Sequence, residues 1–205
     1  MRYLIIIIFF ILSCSKPNKY SLTGNVNLND DDKVFLVQMK DNRPVLIDSS
    51  TVVSGEFKFS DSINFPEMHY LFFEKITGNI PFVLEPGNIK IDVYKDSLRS
   101  SKITGTKSNK DWTDYLSQTQ PYTSELNNIQ IEINQSLRLG DSVLIYDLEE
   151  QFIDMRSKLV DYEFLFMNNR KESYISALIL QRMIFERSID SVSYTHLTLP
   201  TNGLV

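Results

Sequence analysis

From Tyr20 to Thr106 short apolar segments alternate with polar positions and turn residues, a pattern typical of β-strands. Strict alternation is clearest where Phe57 and Phe59 share one face. Strands are predicted at residues 20–26, 34–37, 45–47, 56–60, 68–73, 81–84, 89–93 and 101–106. Turns are predicted at residues 29–32, 41–42, 54–55, 77–79 and 85–88, where Asp, Asn, Gly, Ser or Pro gather. The pattern therefore predicts an antiparallel β-sandwich or barrel-like domain over residues 20–107.

Beyond Ser108 the apolar positions recur every three or four residues, which predicts helices. A first helix carries Trp112, Tyr115 and Leu116, and Pro121 is expected to separate it from a second helix over residues 123–137. The sequence Gly140-Asp141-Ser142 predicts a stop and a cap before a long helix over residues 143–167, and Ser173 opens a last helix. The predicted class is α+β, with an all-helical connector at residues 108–191.

Residues 1–14 have the organisation of a secretory leader. The apolar run from Tyr3 to Leu12 is ten residues long, too short to span a bilayer, which needs about 20 apolar residues. The sequence Ile11-Leu12-Ser13-Cys14 resembles a bacterial lipobox, in which the cysteine is acylated and becomes the new N-terminus. We therefore predict lipidation at Cys14. An ordinary cleaved signal that contains a cysteine, or a plain membrane anchor, are the alternatives.

A lipid anchor at Cys14 predicts a place in the cell envelope, on the outer membrane and facing the periplasm. Residues 15–19 would be a tether that extends over about 16 to 18 Å. The membrane is thus the first expected partner.

The last segment, residues 192–205, shows neither helical nor strand periodicity. Residues 193–201 resemble the translated read-through of a sequencing-library adaptor, which would make the segment non-native and the chain a truncated fragment. The alternative is a natural disordered tail.

Charge and cysteine content narrow the classes of partner and site. The chain has 21 basic and 26 acidic residues, without a run of Lys or Arg dense enough to follow a phosphate backbone, so nucleic acid is not an expected partner. Cys14 is the only cysteine, so the mature fold is expected to form without disulfides. With His69 and His196 as the only histidines, a zinc or copper site is not expected.

Several residue groups with the composition of a binding or metal site are expected to have structural roles instead. His69 is expected to be a surface or hydrogen-bonded histidine within a strand, and Asp30-Asp31-Asp32 a solvated turn rather than a calcium loop. Helical acids are expected to form polar helix faces: Asp147, Glu149, Glu150, Asp161 and Glu163. Aromatic residues that could line a ligand groove are expected in the core instead: Phe72, Phe73, Phe82, Trp112 and Tyr115. No catalytic residue and no cofactor are predicted.

The order of motifs from Tyr20 to Asn109 resembles a domain of unknown function that precedes a thioredoxin-like domain in bacterial lipoproteins of the TlpA and AhpC/TSA type. The motifs are Tyr20–Gly24, Val34–Val37, Ile47–Ser49, Gly55–Phe59, Pro66, Phe82–Gly87 and Ile103–Asn109. The resemblance implies that the helices around Ser173-Tyr174-Ile175 are a connector to the thioredoxin domain. In that family a Cys-x-x-Cys pair does the redox work, and this sequence has none, so no catalytic residue is carried over.

Two functions follow as hypotheses. The first is a non-catalytic accessory region of an envelope lipoprotein that positions or docks a thioredoxin-like domain or another envelope protein. The second is a stand-alone binding or structural lipoprotein with no redox domain. Neither makes the chain an enzyme in its own right.

Overall fold

Two four-stranded β-sheets form the N-terminal half, and three α-helices follow. The computed structural model describes residues 18–197, and for residues 187–197 the backbone only. The strands are β1 Lys19–Asn25, β2 Lys33–Lys40, β3 Arg43–Thr51, β4 Glu56–Ser62, β5 Glu67–Phe73, β6 Ile76–Leu84, β7 Gly87–Asp92 and β8 Lys102–Thr104. The helices are α1 Lys107–Leu139, α2 Ser142–Asn169 and α3 Tyr174–Leu197. This architecture confirms the predicted α+β class.

The two sheets pack face to face as a sandwich around one core. The strand order is β4-β1-β7-β8 in the first sheet and β3-β2-β5-β6 in the second, and neither sheet closes into a barrel. Alternate residues of both sheets point inward and are buried together, because a strand places every second side chain on the same face. Among the largest fully buried side chains are Leu22, Phe59, Ile89 and Ile91 of the first sheet and Leu36, Leu71, Ile80 and Phe82 of the second.

One strand pair departs from the antiparallel prediction. β1 and β7 run parallel, with Tyr20 opposite Gly87 and Leu22 opposite Ile89, so the first sheet is mixed. Between these two strands the chain forms β2 and β3 of the second sheet, β4 of the first, and β5 and β6 of the second, and it then enters the first sheet again in the direction of β1. Alternation along a strand reports which residues are buried and carries no information about the direction of the neighbouring strand.

Turns are predicted well where two residues need a left-handed backbone. Asp41 and Asn42 have φ values of 50° and 59° and join β2 to β3, as expected for a two-residue hairpin turn. The turn predicted at residues 77–79 is wrong, because these residues lie within β6 and the chain turns at Glu74 and Lys75. Phe72 pairs with Asn79 and Phe73 with Ile76, so Thr77 and Gly78 form an irregularity inside the strand.

The predicted break at Pro121 is also wrong. α1 runs for 33 residues from Lys107 to Leu139 with Pro121 inside it. A proline there removes one hydrogen bond and normally weakens or kinks a helix. The packing of α1 along α2, in which Ile129 and Ile133 contact Leu148, supports helix on the far side of the proline. Tertiary packing therefore outweighs the local cost.

The turn between α1 and α2 follows the predicted stop and cap. Gly140 has φ 72° and its N–H meets the carbonyls of Ser136 and Leu137, and the Asp141 carboxylate accepts a hydrogen bond from the Leu144 N–H at 3.1 Å. The two helices form a hairpin with its own small core of Ile129, Ile133 and Leu148. No helix in residues 18–197 is long and apolar enough to cross a membrane.

α3 returns to the base of this hairpin and continues to Leu197. Its last residues, 192–197, belong to the segment in which the sequence shows no helical period. Extending an existing helix is easier than starting one, which accounts for the difference. Cys14, the leader and residues 198–205 lie outside the described residues, so the predictions of lipidation and of an adaptor-derived tail stay predictions.

Candidate functional site

The strongest constellation of polar groups lies where α1 leaves the β-sandwich. The side chain of Asn109, which is fully buried, accepts a hydrogen bond from the Val83 N–H at 2.9 Å and donates one to the Val83 carbonyl at 2.7 Å. β6 is an edge strand of the second sheet, and an edge strand leaves backbone N–H and carbonyl groups unpaired. The Asn109 side chain supplies the hydrogen-bond partners that the Val83 N–H and carbonyl would otherwise lack. The amide also donates to the Thr106 hydroxyl at 2.8 Å.

Two neighbouring contacts reinforce this junction. The Glu85 carboxylate, just after β6, accepts hydrogen bonds from the backbone N–H and the hydroxyl of Ser108 at 2.9 and 2.7 Å. A carboxylate at the first turn of a helix is favourable because the free N–H groups there carry partial positive charge. The Trp112 indole N–H donates to the Pro81 carbonyl at 3.1 Å. α1 is thus fixed to β6 over two turns.

A buried charge cluster joins all three helices beyond the junction. The Glu163 side chain on α2 is only 1% exposed, and its Oε1 accepts hydrogen bonds from the Tyr115 hydroxyl of α1 at 2.6 Å and the Arg182 guanidinium of α3 at 2.5 Å. Its second oxygen, Oε2, is buried without a hydrogen-bond partner among the described residues. Burying a carboxylate is costly unless it is paired, so this cluster depends on Arg182.

The cluster shifts the ionisation of both partners of Glu163. Burial, and then the hydrogen bond to Glu163, raise the pKa of Tyr115 well above its usual range, so the phenol stays a hydrogen-bond donor. Burial alone would lower the pKa of Arg182, but the hydrogen bond and the attraction to Glu163 outweigh it and raise that pKa. Both shifts favour the protonated forms of the Tyr115 phenol and the Arg182 guanidinium, so both groups remain hydrogen-bond donors to Glu163.

A second polar cluster holds the start of α3 against α1. The Ser173 hydroxyl donates to the Asp111 carboxylate at 2.7 Å, and the Arg170 guanidinium lies 3.5 Å from Asp111 and 2.9 Å from Asp114. The Ile175 N–H donates to the Ser173 hydroxyl at 3.3 Å, as expected of a helix cap. Arg170 also stacks 4.6 Å over the ring of Phe166.

A shallow cleft opens at one end of the first sheet. Residues 25–27, 54–56 and 92–94 line it. The Asn25 amide donates to the Asp92 carboxylate at 2.8 Å, and the Tyr94 ring is about half exposed. The cleft offers a planar ring beside amide and carboxylate groups, which are general binding chemistry.

His69 and the aspartate run have structural roles. His69 is buried in β5, where its ring lies near Phe82 and its Nδ1 lies 3.3 Å from the Glu67 carbonyl, which confirms a hydrogen-bonded histidine. Asp32 is buried and accepts from the Asn29 N–H and from Lys75 at 2.5 Å, so this part of the turn is less solvated than predicted. The hydrogen bond with Asp32 raises the pKa of Lys75.

Some of the helical acids and aromatic residues differ from their predicted burial. Asp147, Glu149, Glu150 and Asp161 are exposed as expected, whereas Glu163 is buried and its assignment to a polar face is wrong. Phe73 and Phe82 are core residues, while Phe72 is half-buried and Trp112 and Tyr115 pack at the junction. Within residues 18–186 no group of three or more His, Cys, Asp or Glu could hold a metal ion.

Of the residues that sequence reasoning missed, Glu163 alone carries a signal in the sequence. Glu163 falls on the apolar stripe of α2, between the buried Leu159 and Phe166 at four- and three-residue spacing. A charged residue at such a position must either be paired or remain unburied. Arg182 and Asn109 carry no comparable signal, because their partners lie far away in the sequence.

The β-sandwich and the start of α1 are similar to a known sequence family. Residues 20–112 match the family model of a domain of unknown function (DUF4369). The DUF4369 region includes both Asn109 and Trp112, so it covers the junction as well as the sandwich. The resemblance found in residues 20–109 is confirmed as far as an uncharacterised domain. No curated protein matches the chain.

Proposed function

We propose that this chain is the non-catalytic accessory N-terminal region of a membrane-tethered envelope lipoprotein whose complete form carries a thioredoxin-like thiol-disulfide oxidoreductase domain. The β-sandwich and the helices position that domain and take no part in its chemistry. The observation that carries the proposal is the junction at Asn109, Glu85 and Trp112, which makes one unit of the sandwich and the base of α1. A scaffold that positions a partner needs this kind of rigidity.

Support for the envelope location comes from the leader, where Cys14 ends a lipobox-like sequence after a ten-residue apolar run. The DUF4369 match and the order of motifs around it support the accessory role. The outer membrane, facing the periplasm, is the proposed site.

Lipid anchoring is tested by Cys14→Ala in the full chain expressed in a Gram-negative host. The unmodified chain should incorporate labelled palmitate and sediment with the membranes, and Cys14→Ala should lose the label and appear in the soluble envelope fraction. Ser15→Ala is the matched control because it changes the next residue and leaves the thiol. Retention of Cys14→Ala in the membrane fraction would show that lipidation does not anchor the chain.

The proposed redox domain is tested by sequencing the gene, and the non-catalytic role of this chain is tested by an insulin-reduction assay. Long-read sequencing of the locus past the codon for Asp190 should reveal roughly 140 further codons, one ordinary domain, with a Cys-x-x-Cys. An immediate stop codon would contradict it. The chain itself should show no thiol-dependent reduction of insulin, and measurable turnover would contradict the non-catalytic assignment.

The second candidate is a stand-alone binding or structural lipoprotein with no redox domain. The cleft lined by residues 25–27, 54–56 and 92–94 favours it, because it lies on the sandwich and needs no further domain. The stop codon that would contradict the first proposal is the result expected for the second.

A further inference from the structure

α3 is held to the rest of the molecule at its beginning by apolar packing. Ile175 and Ile179 are buried in a small cluster with Val83 of β6 and Phe166 of α2, and the Ser173 and Asp111 contact fixes the first turn. Most of these contacts lie within the first two turns of α3, and Met183, one turn beyond Ile179, is partly buried against the same cluster. A helix held mainly at its beginning could still change its direction further along.

Further along α3, ion pairs connect the helix to α2. Arg182 contacts Glu163 at 2.5 Å and Glu186 at 3.2 Å, and Glu186 also meets Arg156 of α2 at 2.8 Å. On the opposite side of α3, Leu180 and Ile184 are 50% and 62% exposed, so these apolar side chains contribute little to holding the helix against the hairpin. The direction of α3 beyond Ile179 therefore depends on these charged contacts together with the partly buried Met183.

Among the described ion pairs within the helices, the Glu163 and Arg182 pair is the most asymmetric in exposure. The Glu163 side chain is 1% exposed and the Arg182 side chain 40%. If α3 swung outward, Arg182 would gain water, but Glu163 would lose its counter-ion and keep Tyr115 as its one hydrogen-bond donor among the described residues, where Oε2 is already unpartnered. Leaving a buried carboxylate without its counter-ion is strongly unfavourable, whereas breaking an exposed pair costs little.

We propose that Glu163 and Arg182 are positioning residues that fix the direction in which α3 leaves the helical hairpin, with Tyr115 orienting the carboxylate. The inference deepens the proposed function and rests on it for its purpose, because a domain carried beyond α3 would take its orientation from this pair. Arg156 and Glu186 lie at the exposed rim and make a minor contribution.

The test measures the direction of α3 rather than stability alone. Spin labels are placed at the exposed positions 150 of α2 and 181 of α3 by Glu150→Cys and Gln181→Cys, in the full chain carrying Cys14→Ser so that no other thiol is present. The unmodified pair should give one narrow distance distribution. Arg182→Met should add a second, longer component and speed amide exchange in residues 180–186 by about tenfold or more.

Controls separate the buried pair from general loss of charge. Lys158→Met breaks the exposed Lys158–Asp154 pair at 2.7 Å on α2 and should leave the distribution unchanged. Arg182→Lys keeps the charge and should restore most of the narrow component. Should Arg182→Met fail to fold, Glu163→Gln decides, because it keeps hydrogen-bonding groups and removes the charge, and it should also add the longer component.

A narrow distribution in a folded Arg182→Met chain, or in Glu163→Gln where the former does not fold, would show that packing alone directs α3 and would overturn the inference. The same long component in Lys158→Met would overturn it as well. Because the distance is measured on the unlipidated chain, failure of the Cys14 experiment leaves this result unaffected, and the two failures can be told apart.

Discussion

Gly24 shows how one residue can determine the packing of the core. It lies opposite Phe57 in the β1 and β4 pair, and a Cβ at Gly24 would come within 2.1 Å of the Phe57 ring. Phe57 in turn meets Phe59 and Phe73 edge to face. The ring can cover the strand only because the opposite residue has no side chain.

We expect Gly24→Ala to destabilise the protein by about 1 to 3 kcal/mol, the usual cost of overpacking a core. Urea unfolding measures the change. The double variant Gly24→Ala with Phe57→Leu should lose less than the sum of the two single variants, since the smaller side chain removes the clash. Strict additivity would show that the contact between the two residues is not the cause.

His69 makes stability depend on pH through its burial in β5. Burial lowers the pKa of His69 below its usual value of 6.5, so the unfolded chain binds a proton more readily than the folded one. As pH falls below about 6.5, the unfolded state is therefore favoured, by at most about 1.4 kcal/mol per pH unit from this group. Above pH 6.5 its contribution is constant.

The measurement compares the unfolding free energy of the unmodified chain and His69→Gln from pH 8 to pH 5.5. Carboxylates contribute equally to the pH dependence of the unfolding free energy in both chains. The difference between the two pH profiles therefore reports on His69 alone. His69→Gln should show the shallower decline below pH 6.5. Equal slopes would contradict the assignment of a buried, neutral His69.

At the scale of the elements, Pro121 is a local weakness within a continuous helix. The helix already runs through this exposed position, so Pro121→Ala restores one backbone hydrogen bond without rearrangement. We expect stabilisation by about 1 to 2 kcal/mol. This is less than the cost of a proline inside a helix, because alanine also raises the conformational entropy of the unfolded chain. A higher urea midpoint measures it, and exposed Gln120→Ala should shift the midpoint little. No gain in Pro121→Ala would mean that the helix bends to accommodate the proline.

Elements were predictable where local chemistry decides and not where a distant partner does. Alternation alone predicts that Phe57 and Phe59 share one face, which is the core face, and Gly140 with Asp141 predicts the turn between α1 and α2, because both signals act within a few residues. Val45, Leu46 and Ile47 predicted a strand correctly, yet β3 is an exposed edge strand. Glu163 is a charged residue of the kind expected on a polar helix face. Its burial depends on a hydrogen bond and ion pair with Arg182, nineteen positions away in the sequence.

For the molecule as a whole, the separation of its apolar clusters predicts unequal local stability. The sandwich core and the hairpin core of Ile129, Ile133 and Leu148 are distinct clusters, and the hairpin core is much the smaller. Small cores open more readily. Native-state hydrogen exchange should therefore show faster exchange for buried amides at residues 129–133 than at residues 89–91, and equal protection would indicate one cooperative unit.

The coupling of the sandwich to the helices is expected to depend on Asn109. Asn109→Leu keeps the volume but leaves the Val83 N–H and carbonyl without their side-chain partners in a buried place, which should cost about 2 to 4 kcal/mol. Ser117→Ala, which removes one exposed hydrogen bond of the same helix at 2.9 Å, is the matched control and should change stability by less than about 0.5 kcal/mol.

Trp112, the only tryptophan, contacts both the sandwich and the helix cluster and therefore reports on the junction. In the unmodified chain and in Ser117→Ala, Trp112 fluorescence and far-ultraviolet circular dichroism should follow the same urea transition. In Asn109→Leu the fluorescence should change at lower urea, because the junction opens before the strands and helices unfold. Coincident transitions with the midpoint of Ser117→Ala would show that Asn109 does not couple the two parts, and the scaffold proposal would lose the observation on which it rests.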